Sequence, residues 1–163
     1  MKYIISVKND RIEITVKDII ITKVTFTDEL PPAEGYNFQS GGIRELYILA
    51  EKQFKEYFMG ARKEFNLPVL QSGTPFEKNI WSNIGKIGYG ETISYSKLAE
   101  LSDAKGAERA VGQAVAKNHL LLVVPCHRII RKSGDPGEYS AGKQRKLKLL
   151  QLEKKNKTNI LNP

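Results

Sequence analysis

The chain has 163 residues, 40% of them hydrophobic, and a formal net charge of +8. That length makes one compact domain or two small ones, and no apolar run approaches a membrane span. A single cysteine excludes an internal disulfide, and one Cys with two His (His119, His127) and no carboxylate cluster excludes a tetrahedral zinc site. No secretory leader precedes the first strand-like segment, so the expected location is the cytoplasm. The charge suits a polyanion such as nucleic acid. A lysine-coated surface of the heat-adapted kind gives the same sum.

The opening of the chain reads as β-structure. Tyr3-Ile4-Ile5-Ser6-Val7, Ile12-Glu13-Ile14-Thr15-Val16 and the segment 19–26 are runs of β-branched residues with partial alternation. Asn9-Asp10 suits a tight turn between the first two. A Pro/Gly-rich loop over 31–42 follows. Ile43, Leu46, Tyr47, Ala50, Phe54, Tyr57 and Phe58 then recur at helical spacing, up to Gly60. The segment 62–73, with Pro68, reads as a connection.

Thr74-Pro75-Phe76-Glu77 combines a capping threonine, a proline at the first helical position and a capping-box glutamate. The stripe Phe76, Ile80, Trp81, Ile84 and Ile87 is expected to face a core, and Gly88 and Gly90 to stop the helix. Ser94 caps a short helix with Tyr95, Leu98 and Ala99 inward. After a turn over 102–106, a second helix spans 107–117 and ends at Asn118, a residue that tolerates the left-handed conformation. Two short helices joined by a turn suggest a helix-turn-helix. A last helix starts near Gly142 and carries Leu147, Leu149, Leu150 and Leu152, and 154–163 reads as a frayed polar end.

The 107–117 helix has two faces. Ala107, Ala110, Val111, Ala114 and Val115 follow the buried pattern. The other face carries Arg109, Gly112, Gln113 and Ala116, with donors on two long side chains and otherwise almost no relief. Such a face lets a nucleic acid approach closely. The competing reading is that Gly112 packs against another helix, since glycine costs a helix about 1 kcal/mol relative to alanine.

Val124-Pro125-Cys126-His127-Arg128-Ile129 holds the only cysteine. It follows the apolar run Leu120-Leu121-Leu122-Val123-Val124, read as a buried strand that proline stops. A thiol fixed at such a turn beside an imidazole is a candidate nucleophile, as against a small buried hydrophobe.

Pro125-Cys126-His127-Arg128 resembles the active-site signature of the O6-alkylguanine-DNA alkyltransferases. Gly73-Thr74-Pro75-Phe76 with Trp81, Ile93-Ser94-Tyr95, Arg109-Ala110-Val111-Gly112, Asn118 and Tyr139-Ser140-Ala141-Gly142 extend the resemblance, in the family's order and spacing, over about 73–153. Over the N-terminal part it is one of general shape, with Phe58-Met59-Gly60 after the helix.

The resemblance implies an α+β protein. An N-terminal sheet-plus-helix domain, ribonuclease-H-like, would span 1–72. A mainly helical alkyl-transfer domain with a winged-helix-like helix-turn-helix would span 73–163. It implies repair by direct reversal, in which Cys126 takes the alkyl group from O6 of guanine, or from O4 of thymine, in double-stranded DNA reached through the minor groove. His127 would act as base through a bridging water and Glu153 would orient it. Tyr95, Ile129, Tyr139, Ser140 and Lys146 would form the substrate pocket, with carbonyls of Cys126 and Ile129 receiving the exocyclic amine. Arg109, Gly112, Gln113, Ala116 and Arg128 would contact DNA, Arg109 as a finger replacing the flipped nucleotide, and Asn118 would be a hinge. No cofactor or metal is implied, and the protein is expected to act as a monomer.

The chain departs from the family pattern at His119, where proline is usual, and at Glu138 and Ala141, where Asn and Gly are more common; Gln113 stands where a smaller residue is frequent. The alternatives are a non-catalytic sensor that flips the lesion, a Cys–His hydrolase and a plain helix-turn-helix transcription factor. The presence of Cys126 speaks against the first. The hydrolase would need an oxyanion hole and a second histidine. The flat Gly112/Ala116 face speaks against major-groove readout by long polar side chains.

Overall fold

A computed structural model describes residues 1–158, in two compact units, Met1–Gln71 and Ser72–Pro163. In the first unit β1 (Lys2–Val7), β2 (Asp10–Lys17) and β3 (Ile20–Phe26) form an antiparallel meander in that order. Val7 pairs with Asp10, so the first turn is Lys8-Asn9, one residue earlier than Asn9-Asp10. The second turn, Asp18-Ile19, puts both residues at positive φ, 49° and 62°. This geometry matches the twist of a hairpin and is unusual for a β-branched residue. Ser40 caps α1 (Gly41–Phe58) by accepting from the Ile43 N–H, and the buried stripe of Ile43, Leu46, Ala50, Phe54, Tyr57 and Phe58 packs toward the sheet.

The second unit begins with α2 (Pro75–Gly85), whose capping box is complete: Thr74 Oγ1 accepts from the Glu77 N–H and Glu77 Oε2 from the Thr74 N–H. Ile80, Trp81, Ile84 and Ile87 are buried, but Phe76, expected in the same stripe, is 38% exposed. Phe76 is in the first turn, where Thr74 and Pro75 beside it are exposed as well. Two helices joined by a turn follow, α3 (Tyr95–Leu101) and α4 (Glu108–Ala116), with Asp103 and Gly106 at positive φ in the turn. Val111, Ala114 and Val115 are buried as expected; Ala110 is exposed, because α4 is only nine residues long and α2 covers its C-terminal half. Trp81 Nε1 donates to the Ala114 carbonyl at 2.8 Å and Lys117 Nζ to Glu77 Oε1 at 2.6 Å, which fixes α4 on α2.

The apolar run after α4 is not a strand. Leu120, Leu121 and Leu122 are buried in consecutive turns, with Leu122 at φ 72° and the Val124 N–H closing onto the Leu120 carbonyl. A short apolar run without alternation carries no period, so burial alone cannot separate strand from turn. Asn118 does not adopt the left-handed conformation; its side chain bonds the turn instead. Cys126–Arg128 forms one 3-10 turn, and β5 (Ile129–Ile130) pairs in parallel with β4 (Ile93–Ser94). This two-residue pairing joins the start of α3 to the end of the cysteine turn. Helix α5 (Lys143–Thr158) continues through the stretch read as frayed; residues 159–163 of that stretch lie outside the described residues.

Candidate active site

Cys126 is buried at the head of the 3-10 turn that follows Pro125, and one strong interaction reaches its sulfur: Asn118 Nδ2 donates to Sγ at 3.0 Å. The same amide donates to the Val124 carbonyl at 2.8 Å, while Asn118 Oδ1 accepts from the Leu120 N–H at 3.0 Å. Asn118 thus ties the end of α4 to the cysteine turn by three bonds. Burial pushes the thiol up to about 11, against the pull of the Asn118 hydrogen bond and the Lys146 charge. At neutral pH the resting thiol keeps its proton, and a thiol is a far weaker nucleophile than a thiolate.

The groups next to it form a buried charge cluster. Glu153 Oε1 lies 2.8 Å from His127 Nε2, and neither side chain is exposed. Arg128 holds the same carboxylate with two edges: Nη2 donates to Oε1 at 2.9 Å and Nε to Oε2 at 3.0 Å. The Gly90 N–H donates to Oε2 at 2.9 Å. Burial alone raises the Glu153 carboxyl, but His127 and Arg128 outweigh it and hold it at about 2. Burial lowers His127 below its ordinary value despite the carboxylate. The arrangement is a neutral imidazole on an ionised carboxylate. With Nε2–H donating to Glu153, the basic lone pair sits on Nδ1.

A cavity of about 250 Å³ opens onto Cys126 and is lined by Tyr95, Gly112, Val115, Ala116, Glu138, Tyr139 and Ser140. Its size is near the lower end of small-molecule pockets, suited to one flat heteroaromatic group. The Tyr139 hydroxyl is buried and has no hydrogen-bond partner among the described residues. Its ring meets His127 edge-on at 6.5 Å. A Cβ added at Gly112 would meet nothing within 4 Å, so Gly112 does not pack on another helix; it opens the cavity along α4. Arg109 and Gln113 are exposed on the same helix.

Three expected site residues are placed differently. Arg128, expected at the DNA surface, is 5% exposed and turned inward: beyond Glu153 it donates from Nη1 to the Ile87 carbonyl at 2.6 Å and stacks over Tyr89. A planar guanidinium beside a buried carboxylate is held there by paired hydrogen bonds. Ile129 is fully buried and outside the cavity wall, and its carbonyl accepts from Lys146 Nζ at 2.6 Å. The Cys126 carbonyl accepts from the Ile129 N–H to close the turn. Lys146, expected in the pocket, is 1% exposed beneath it and bridges the carbonyls of Ile129 and Glu138. Two contributors escaped the sequence reading. Val115 shares the cavity face three residues after Gly112, a spacing that could have found it. Gly90, read only as a helix stop, has φ 71° and lies so near the Glu153 backbone that a Cβ would fall 3.1 Å from its carbonyl oxygen; nothing local in sequence signals that approach.

Residues 75–155 match the family model described as the DNA binding domain of 6-O-methylguanine DNA methyltransferase. The methylated-DNA–protein-cysteine methyltransferase of Mycobacterium leprae (strain TN) is 39% identical over 137 residues, 83% of this chain and 81% of that protein. The protein of the same description from Mycolicibacterium paratuberculosis is 42% identical over 142 residues, 86% and 84% of the two chains. The crystal structure of Mycobacterium tuberculosis OGT in complex with DNA matches at a TM-score of 0.82 and 30% identity, covering 95% of this chain and 93% of that one.

Proposed function

The chain belongs to the family of methylated-DNA–protein-cysteine methyltransferases, and from that premise we propose how its residues divide the work. The protein binds DNA and repairs it by moving an alkyl group from a base to its own cysteine. The acceptor is Cys126, and the observation that carries this assignment is its thiol at the floor of a cavity, adjoining a buried imidazole–carboxylate pair. Such a site cannot reach a base inside a duplex, so O6-alkylguanine, and O4-alkylthymine by the same geometry, must be flipped out. Helix α4 both faces the DNA and walls the cavity, so a nucleotide leaving a minor groove held at Gly112 and Ala116 passes directly into the pocket. Arg109 fills the vacated stack, which offsets a few kcal/mol of unstacking.

Once the base is seated, His127 Nδ1 takes the thiol proton through a bridging water, while Glu153 stabilises the imidazolium. The thiolate, held by Asn118 and by the Lys146 charge, attacks the alkyl carbon. The S–C bond forms and the C–O6 bond breaks. The electron pair passes into the guanine, which ends with the proton that the thiol gave up. Tyr139, with its spare hydroxyl, and Tyr95 and Ser140 stabilise that developing charge. The thioether has no leaving group, so each molecule, acting as a monomer in the cytoplasm where its thiol stays reduced, turns over once.

Incubation with a duplex carrying O6-methylguanine, followed by peptide mass mapping, is expected to add one methyl group per molecule on the Cys126 peptide. A Cys126→Ser variant is expected to bind the lesion and transfer nothing. Tight lesion binding with Cys126 unmodified would instead support the sensor.

A further inference from the structure

Among the described residues of the cavity wall, Glu138 is the one charged side chain. It is exposed at the mouth, and its carboxylate makes no ion pair or hydrogen bond among the described residues. Its backbone is fixed, because its carbonyl accepts from Lys146 Nζ at 3.3 Å. Two cations, Lys146 and Arg131, act on the same cavity from outside its wall. Lys146 is buried and points at two carbonyls, and Arg131 pairs with Asp135 at 3.8 Å. The other wall residues, the resting thiol included, are neutral or apolar. The alkyl group of a bound lesion must sit against Cys126 Sγ, in the same small, partly dry space. There a unit charge acts more strongly than in bulk water. The Tyr95 hydroxyl is raised by burial and then by Cys126, lowered by Arg131 and raised by Glu138, so the Glu138 charge reaches the tyrosine in the same wall alongside that of Arg131.

We propose that Glu138 sets the substrate range by charge, admitting neutral or cationic alkyl groups and rejecting those that carry a carboxylate. This rests on the cavity being the alkyl-acceptor pocket. Size is a separate matter. A carboxymethyl and a carbamoylmethyl group have nearly the same shape and differ in charge, so a change in their relative rates when Glu138 is altered reports on charge.

The experiment compares three duplexes of one sequence, carrying O6-methylguanine, O6-carboxymethylguanine or O6-carbamoylmethylguanine, by the rate at which each labels Cys126. Phosphate contacts are common to all three, so the carbamoylmethyl/carboxymethyl rate ratio isolates the alkyl charge. Glu138→Gln is expected to lower that ratio about tenfold from its value in the native protein, the effect of one unit charge at a partly screened site. Glu138→Lys is expected to lower it further. Raising the salt is expected to shrink the ratio for the native protein, which needs no variant to fold. A ratio equal in the native protein and both variants, and insensitive to salt, overturns the proposal. Failure to label Cys126 with the methyl duplex would overturn the pocket assignment instead, so the two failures are distinguishable.

Discussion

Glu153 accepts from His127, Arg128 and the Gly90 N–H while fully shielded from water, so its charge depends on all three. Removing Arg128 alone strands that charge. Arg128→Met is expected to lower the unfolding free energy by about 3–5 kcal/mol, the range for breaking one side of a buried pair. The double variant Arg128→Met/Glu153→Gln is expected to recover part of that loss, because no uncompensated carboxylate remains. Denaturant titration of both checks it, and a double variant less stable than the single one would contradict the reading. Motif chemistry singles out Cys126 and His127, the resemblance adds Glu153, and the structure buries all three. Arg128, expected to contact DNA, is buried against Glu153 instead. Charge points toward DNA or toward a carboxylate equally well, and only burial decides between them.

Helix α4 carries a trade-off between stability and access. Gly112 is mid-helix, where glycine is unfavourable, and its missing Cβ faces open space on the cavity. Gly112→Ala is expected to stabilise the protein by about 1 kcal/mol. It is also expected to slow alkyl transfer from lesion duplex, because the new methyl group narrows the mouth. Thermal unfolding and single-turnover labelling of Cys126 read the two effects, and a variant that is both more stable and equally fast would show that the mouth has room to spare. Most elements were legible because they are long enough to show a period or carry a cap, as with Thr74 and Glu77 on α2 or the stripe of α1. The two-residue β4 and β5 show neither. They exist because distant segments meet, and the run of leucines before Cys126 becomes a turn because Asn118 bonds its backbone.

Across the chain the charge is divided unevenly. Met1–Gln71 carries ten basic and ten acidic residues, so the whole excess of +8 lies in the unit that holds the cavity and α4. Among the described residues no helix is long and apolar enough to cross a membrane. Stability is expected to be greatest between about pH 6.5 and 9, and the signs follow from the buried groups. Below its ordinary 6.5 the unfolded chain protonates His127, which the fold keeps neutral. Below 4.5 it protonates Glu77 and Glu153, which the fold holds at about 2. The unfolded state binds more protons, so acid destabilises. Above 9 the unfolded chain loses the thiol proton that the fold retains to about 11, so alkali destabilises as well. Melting temperatures from pH 4 to 10 check this; Cys126→Ser is expected to flatten the fall between pH 9 and 10 and leave the acid limb in place. Reactive residue types, caps, periodicity and family pattern are local, and they sufficed to indicate an α+β protein of this family, with Cys126 set beside the helix that carries Gly112. Which cation turns inward and which carbonyls are occupied were settled only by the fold, because burial and pairing arise between segments far apart in the chain.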